Sequence, residues 1–319
     1  MRAVLHQRYG PPAQALVIKE IDQPEPLADQ VLVKVHASSI NSIDCRLVRA
    51  DPFLVRLTGG LTRPNSPAFG GDAAGVVVAV GESVVHVKPG DEVFGVKRGA
   101  LADFVAGKNF VRKPANLSME QAAAIPIAGL TALQAIRDHG LVKPRHKVLV
   151  NGAGGGVGTF AVQIAKAFGA TVTAVTSTDK LELMPNLGAD TVLDYSRDDF
   201  TRNQGAYDVI IDVAGDHSLG RTRRALEAQG TLVMVGAHRG VLRRMIFAVL
   251  RRRLLKQDIK FFRADVTPDD LDTLRDLAEA GKLKPVISRT YAFMDTAAAV
   301  AHAEGQQARG KVVVTLGAA

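Results

Sequence analysis

At 319 residues, with 47% hydrophobic and 23% charged side chains, the chain is long enough and apolar enough for two domains with ordinary cores. No apolar run reaches the roughly eighteen residues that a membrane-spanning helix needs, and a single cysteine, Cys45, excludes an internal disulfide and a cysteine-rich zinc site. The formal net charge of +8, with a pI near 9.7, points to anionic partners: a phosphorylated ligand, nucleic acid or an acidic membrane surface.

Residues 1–5 read as a first strand with no signal-peptide architecture, so a cytoplasmic setting is expected. From there to about residue 115, apolar and β-branched runs at 15–20, 30–37, 73–80, 92–96 and 104–106 alternate with turn signals such as Pro24-Glu25-Pro26, Gly81-Glu82 and Pro89-Gly90-Asp91. This predicts a mostly antiparallel, partly closed β domain. Asn41 within it is a candidate donor to a developing oxyanion, because an amide donates in any protonation state, and equally a turn residue fixing the loop before Asp44. Asp44 reads as structural. Cys45 is either a reactive thiol or a small buried residue.

A connection follows, with a helix predicted over 119–125, capped by Ser118 and interrupted by Pro126, and a second over 131–139 ending at Gly140. Residues 147–150 then form a short apolar run that breaks into Gly152-Ala153-Gly154-Gly155-Gly156-Val157-Gly158. Behind it lie an apolar helical pattern (Phe160, Val162, Ile164, Ala165, Phe168) that stops at Gly169 and a β-branched run at 171–176. Strand, glycine turn, helix and strand in this order make a dinucleotide-binding unit. Its glycines let backbone approach a pyrophosphate, and its helix N-terminus offers unpaired N–H groups. Ala153, Gly155, Gly156 and Val157 are the candidate contacts.

An NAD site usually ends the second strand with a carboxylate for the ribose 2′-hydroxyl. Here Thr176 is followed by Ser177, Thr178 and Lys180, whose hydroxyls and ammonium attract a 2′-phosphate, while Asp179 falls past that slot and reads as a cap. The alternation continues with a strand over 207–213, a helix over 218–227 and a strand over 230–235. It puts Val213, Ala214, Gly236 and Ala237 at strand carboxyl ends, where a doubly wound sheet binds ligands and where any parallel sheet also favours small residues. Residues 241–256 alternate Arg243, Arg244, Arg251, Arg252, Arg253 and Lys256 with Leu242, Met245, Ile246, Val249, Leu250 and Leu254, predicting a basic amphipathic helix. Such a helix is a solvated face over a packed stripe, or a peripheral contact for anionic membrane or RNA. A helix over 269–280, a strand over 285–291, a helix over 295–306 and a strand over 311–316 complete the chain.

The string from Ala153 to Lys166, together with Ser39-Ile40-Asn41-Ser42-Ile43-Asp44 and Pro67-Ala68-Phe69-Gly70-Gly71-Asp72-Ala73-Ala74-Gly75-Val76-Val77, resembles the zinc-independent, NADPH:quinone oxidoreductase-like branch of the medium-chain dehydrogenase/reductase superfamily. The resemblance implies an α/β protein with a GroES-like β-rich substrate domain over 1–117 and a Rossmann domain, a doubly wound parallel sheet, over 118–264. Residues 265–319, through Thr290-Tyr291 and Gly310-Lys311-Val312-Val313, would return to complete the first domain. Lys180 and Tyr195 match the lysine and tyrosine that close over the 2′-phosphate, so NADPH is the expected cofactor. Read from the residues alone, the pair is a solvated lysine and a tyrosine packed at a strand edge. Thr131 matches a threonine facing the nicotinamide, and is equally a capping hydroxyl. Zinc-dependent relatives carry a cysteine near the Asn41 slot and Gly-His-Glu where this chain has Gly70-Gly71-Asp72. They also carry a four-cysteine lobe that is missing between Phe94 and Phe104, so no metal is expected. Relatives pair through the sheet edge, which makes Lys260-Phe261-Phe262-Arg263 a candidate homodimer strand.

Without a Lewis acid the acceptor must delocalise negative charge itself, which points to an electrophilic small molecule, a quinone or an α,β-unsaturated carbonyl. Family quinone reductases often carry a tyrosine where this chain has Arg46. An arginine there suits an anionic acceptor and keeps open an acrylate or enoyl double-bond reductase. An NADPH-binding regulatory or RNA-binding protein with little turnover is the reading from another class.

Overall fold

The computed structural model describes residues 1–51, 53, 55–235, 257–305 and 308–317. The strands, in chain order, are β1 (Arg2–His6), β2 (Leu16–Glu20), β3 (Val31–Ile40), β4 (Asp72–Val80), β5 (Glu92–Val96), β6 (Phe104–Gly107) and β7 (Phe110–Arg112), then β8 (Lys147–Asn151), β9 (Thr171–Thr176), β10 (Thr191–Asp194), β11 (Tyr207–Asp212), β12 (Leu226–Met234) and β13 (Asp258–Phe261), and finally β14 (Ile287–Ala292) and β15 (Lys311–Thr315). Two compact units result: residues 1–128, 266–281 and 285–319 form one, and residues 129–265 with 282–284 the other.

In the first unit β1 and β2 pair antiparallel, and a larger sheet runs β14-β15-β3-β4-β5-β7, with β6 also on β3. Ten-residue β3 is its spine. Val31, Val33 and Val35 pack with Phe69, Leu101, Phe110, Val312 and Val314; burial alternates only from Val33 to Ala37, where Lys34 and His36 are the less buried residues, and Leu32 and residues 38–40 are buried as well. The returning strand β15 lies antiparallel to β3, with Val312 opposite Ile40, because its Val312-Val313-Val314 run is buried on both faces. The helix Pro268–Glu279 precedes it, started by Thr267, whose side chain accepts from the Asp270 N–H, with proline in the first turn.

The second unit is a six-stranded, wholly parallel sheet in the order β10-β9-β8-β11-β12-β13. Val148, Leu149 and Val150 of the central β8 are fully buried, the signature of a strand covered on both faces. The helix Gly156–Ala167 crosses from β8 to β9 and buries Phe160, Val162 and Ile164. This is a doubly wound dinucleotide-binding sheet, whose topological switch point lies between β8 and β11.

Four predicted details are corrected. The helix Met119–Ala123 stops before Pro126 as expected, but the second helix starts at Pro126 and not at Thr131, running Pro126–Gln134, since proline in a first turn gives up no needed N–H; a π-helical turn at Ala135–His139 extends it. The segment after Asn41 is not a loop but the helix Ser42–Arg49, with Asn41 at its N-cap position. The short helix Met119–Ala123 packs on β3 and β4, so the first compact unit runs to residue 128 rather than 117. The helix predicted over 218–227 ends at Arg224, because Leu226 already pairs with Tyr207 as the start of β12. Gly236, Ala237 and the basic stretch 241–256 lie outside the described residues. Among the described residues no helix is long and apolar enough to cross a membrane.

Candidate active site

In the parallel-sheet unit, four adjacent strands end on polar residues that are nonetheless buried: Asn151 on β8, Thr176 on β9, Asp194 on β10 and Asp212 on β11. Strand carboxyl ends are where this fold binds ligands, and a polar rim there is maintained only because its members satisfy one another. Asn151 Nδ2 donates to Asp212 Oδ1 and Asp216 Oδ1, both at 2.9 Å, and the Gly215 N–H donates to Asp212 Oδ1.

Between β8 and β9 the glycines have separate tasks. A Cβ on Gly158 would meet Gly152 O at 2.1 Å, so that glycine lets helix and strand backbones touch. A Cβ on Gly154 would meet Thr176 Oγ1 at 2.4 Å and Lys180 Cδ at 2.6 Å, so the Lys180 stem lies across the turn. Gly155, the N-cap of the helix Gly156–Ala167, has no side chain to cap it, and a Cβ there would meet only Gly152 O at 3.6 Å. Among the described residues no side chain caps the first turn of this helix, and the space beside Gly155 is open. That fits a diphosphate, which takes its bonds from first-turn amides and from the positive end of the helix dipole. Gly156 and Val157 supply those amides, and Ala153, fully buried, fixes the turn by donating its N–H to Val175 O.

Around the expected 2′-phosphate position, Thr176 is 3% and Lys180 8% exposed, whereas Tyr195 is 59% exposed and its N–H donates to Thr176 O. Two of the hydroxyls serve carboxylates instead. Ser177 Oγ donates to Asp179 Oδ1, and Thr178 Oγ1 to Asp194 Oδ2, both at 2.5 Å. The Thr178 hydroxyl, with the Ser196 N–H and hydroxyl, holds the Asp194 carboxyl below the usual carboxylate range. Val213 follows β11 half-buried, its N–H donating to Asn151 O, and Thr131 is half-buried on the helix Pro126–Gln134.

In the β unit, the end of β3, the start of β4 and the start of β15 converge on Asp72, which is fully buried. Its Oδ2 accepts from Ser39 Oγ (2.6 Å) and Asn41 Nδ2 (2.7 Å) and lies 3.5 Å from Lys311 Nζ, while Oδ1 accepts the Ile127 N–H at 2.9 Å. Lys311 Nζ also donates to Asn41 Oδ1. The Asn41 N–H donates to Asp44 Oδ2 at 2.8 Å. Burial pushes the Asp44 carboxyl up to about 7, against the bonds from Asn41 and with help from Asp72. Burial likewise lowers the Lys311 ammonium from the ordinary lysine value, opposed by Asp72 and Asp44. Cys45 is buried, its thiol pushed up to about 12 chiefly by desolvation, so it stays protonated at neutral pH and behaves as a packing residue. Arg46 is half-buried on the same helix as Asp44 and Cys45.

Sequence reasoning singled out Asn41 and set Asp44 aside as structural, but it missed that Asp72 and Lys311 complete the cluster. The available signal was a lysine opening an otherwise apolar strand, Lys311-Val312-Val313-Val314, in which the charge occupies a buried position. The buried acids Asp194 and Asp212 at strand ends were missed for a similar reason: each reads as the polar close of a strand.

A GroES-like β unit and a Rossmann unit with an open glycine turn define a dinucleotide-dependent oxidoreductase. The family model described as alcohol dehydrogenase GroES-like domain matches residues 27–125, and the one described as zinc-binding dehydrogenase matches 187–314. A mitochondrial NAD(P)H oxidoreductase of Homo sapiens is 34% identical over 90% of this chain and 82% of its own. The 2-methylene-furan-3-one reductase of Solanum lycopersicum is 32% identical over 98% of this chain and 79% of its own. The Escherichia coli quinone oxidoreductase solved with NADPH superposes with a TM-score of 0.84 at 25% identity, covering 99% of this chain and 100% of its own. The chain belongs to the medium-chain dehydrogenase/reductase family, in its quinone oxidoreductase-like branch.

The two glycine tasks separate by substitution. Gly158→Ala is expected to lower the thermal midpoint, because its Cβ strikes backbone. Gly155→Ala is expected to leave the midpoint unchanged while weakening dinucleotide binding about 10-fold or more, since the methyl intrudes where a phosphate would meet the amides. Calorimetry and cofactor titration check both.

Asp44 gives a pH dependence with a definite sign. Its folded value of about 7 lies above the ordinary 3.8, so between those pH values the folded chain keeps a proton that the unfolded chain has released. Stability from this group is present at low pH and is lost as pH rises through that window. Asp44→Asn retains an acceptor for the Asn41 N–H and abolishes the titration. Its unfolding free energy relative to the native chain is expected to improve steadily from pH 4 to pH 8, by ~4 kcal/mol at most. Urea unfolding across that range is the measurement, and a constant difference would refute the assignment.

Proposed function

We propose that the chain is an NADPH-dependent reductase that works without zinc and delivers hydride to quinones or α,β-unsaturated carbonyls. The observation that carries this reading is the cluster at Asn41 and Asp72. Where zinc-dependent relatives place thiolate and imidazole ligands, this chain has an amide, Gly71 and a carboxylate whose two oxygens are already engaged by four donors. The donor set does not fit zinc. Glycine at 71 offers no ligating side chain, the tip of the Ile127 side chain occupies the space beside it, and among the described residues no group of three His, Cys, Asp or Glu is disposed around a metal position. The description of the matching family model as zinc-binding is therefore not carried over to this chain.

NADPH would supply a hydride, two electrons with one hydrogen, and leave as NADP+. The acceptor gains that hydrogen, its conjugated system takes the electron pair as an enolate or hydroquinone anion, and one proton from solvent completes the reduction. The protein's part is to orient the partners and to stabilise the anion. Asn41 Nδ2 carries two N–H groups, of which Asp72 takes one; the second is the proposed donor to the developing oxyanion, a contribution of about 3 to 4 kcal/mol where it has been measured elsewhere. The names of the quinone oxidoreductase and the furanone reductase support acceptors of this class. Lys180 and Tyr195 are proposed to hold the 2′-phosphate. The same reading includes a homodimer paired through β13, which among the described strands is the edge of its sheet.

The acceptor panel that tests this compares 1,4-quinones, alkenals, acrylates and a saturated ketone, each with NADPH and NADH. Quinones or alkenals with NADPH are expected to turn over and the saturated ketone is not. Acrylate as the best acceptor would move the assignment to an enoyl-type reductase reading its carboxylate through Arg46, and efficient ketone reduction would overturn the reading. Lys180→Met keeps the stem that packs on Gly154 and is expected to raise the KM for NADPH about 10- to 100-fold, the value of one or two charge-assisted bonds, with the KM for NADH nearly unchanged.

A further inference from the structure

The side-chain amide of Asn41 is held from two sides by groups that have no choice of role. A lysine ammonium only donates, and it faces Oδ1; an ionised carboxylate only accepts, and it faces Nδ2 at 2.7 Å. Rotating the amide by half a turn would put Nδ2 against the ammonium and Oδ1 against the carboxylate, losing both bonds and replacing them with repulsion. Asn41 is 7% exposed and Lys311 2%, so water does not substitute for either partner. The backbone at Asn41 is fixed as well, its N–H on Asp44 Oδ2 and its carbonyl accepting the Asp44 N–H as the helix Ser42–Arg49 begins.

We infer that Lys311 is a positioning residue of this enzyme: by donating to Asn41 Oδ1 it fixes the amide orientation that leaves the second Nδ2–H available to the reduced acceptor's oxyanion. This rests on the role proposed for Asn41 above. Drawing electron density towards Oδ1, the ammonium also makes the amide N–H a stronger donor, since hydrogen bonds in a chain polarise one another. Lys311 comes from the far end of the chain, 270 residues after Asn41, so the C-terminal strand contributes to the chemistry as well as to the sheet.

A double-mutant cycle tests this, read by steady-state kinetics with NADPH and a 1,4-quinone. Lys311→Met is expected to lower kcat about 10- to 100-fold, the cost of a misplaced group, with the acceptor KM and the Kd for NADPH held within about 2-fold. Asn41→Leu is expected to lose at least as much kcat. In the Asn41→Leu background, Lys311→Met is expected to cost nothing further, because the lysine acts only through the amide. Independent, multiplying losses overturn the inference, whereas an Asn41→Leu enzyme with undiminished kcat overturns the Asn41 reading on which it rests. Should Lys311→Met fail to fold, the native protein still decides. Its Asn41 side-chain 1H–15N signals, assigned by their disappearance in Asn41→Asp, are expected to show two non-exchanging protons, of which only one moves when hydroquinone and NADP+ are added. Movement of both protons, or of neither, overturns the inference.

Discussion

A carboxylate with no exposed surface is tolerable only if its lone pairs are met, and Asp72 is such a carboxylate. Its four donors come from β3, from the residue that follows β3, from the first turn of the helix Pro126–Gln134 and from β15. The requirement acts as a register lock. Ser39 lies opposite Asp72 across β3 and β4, and Ile40 opposite Val312 across β3 and β15, so shifting either strand by one residue would carry a donor to the other face and strand the charge. Removing one partner of a buried pair typically costs about 3–5 kcal/mol, because the survivor is left uncompensated, and that penalty ties the C-terminal segment to a sheet begun nearly three hundred residues earlier.

The fold was legible because its signals are local and repeated. Alternation in β3, the all-apolar β8 and the glycine turn before Phe160 each give an element its type without reference to distant chain. Two short strands, β7 and β10, were not seen, since three or four residues carry too little periodicity. The helix Ser42–Arg49 was missed because Asn41 and Ser42 read as turn formers, whereas Asn41 stands at the N-cap position, where the same preference starts a helix. The site was legible only in part. A glycine turn advertises a phosphate by spacing alone, while the Asp72 cluster is assembled from positions 39, 41, 72, 127 and 311, and no pattern along the chain announces that these meet.

The hydroxyls after β9 show how composition misleads when partners are unknown. Thr176, Ser177 and Thr178 together read as an anion-binding run, yet two of the three spend their hydrogens on Asp179 and Asp194. Those carboxylates order the turn that carries Lys180, which packs its stem across Gly154. The acidic residues near the expected phosphate thus build the scaffold for the ammonium, and their charge is partly offset by the hydrogen bonds they receive.

The position of the cation also bears on what a site of this kind can reduce. A metal dication bonded to the substrate oxygen acts at bond length with two charges, enough to draw electrons from an isolated carbonyl. An ammonium acting through an amide is singly charged and at least one hydrogen bond further away, and Coulomb energy falls with both changes. Asp72 beside it removes most of the remaining field, since the Lys311–Asp72 pair has no net charge. What survives is direction: an N–H held in a fixed orientation within a buried site. Such a donor helps an oxyanion that conjugation has already made affordable and does little for one that it has not, so on this reading selectivity for conjugated acceptors follows from replacing a charge by a dipole.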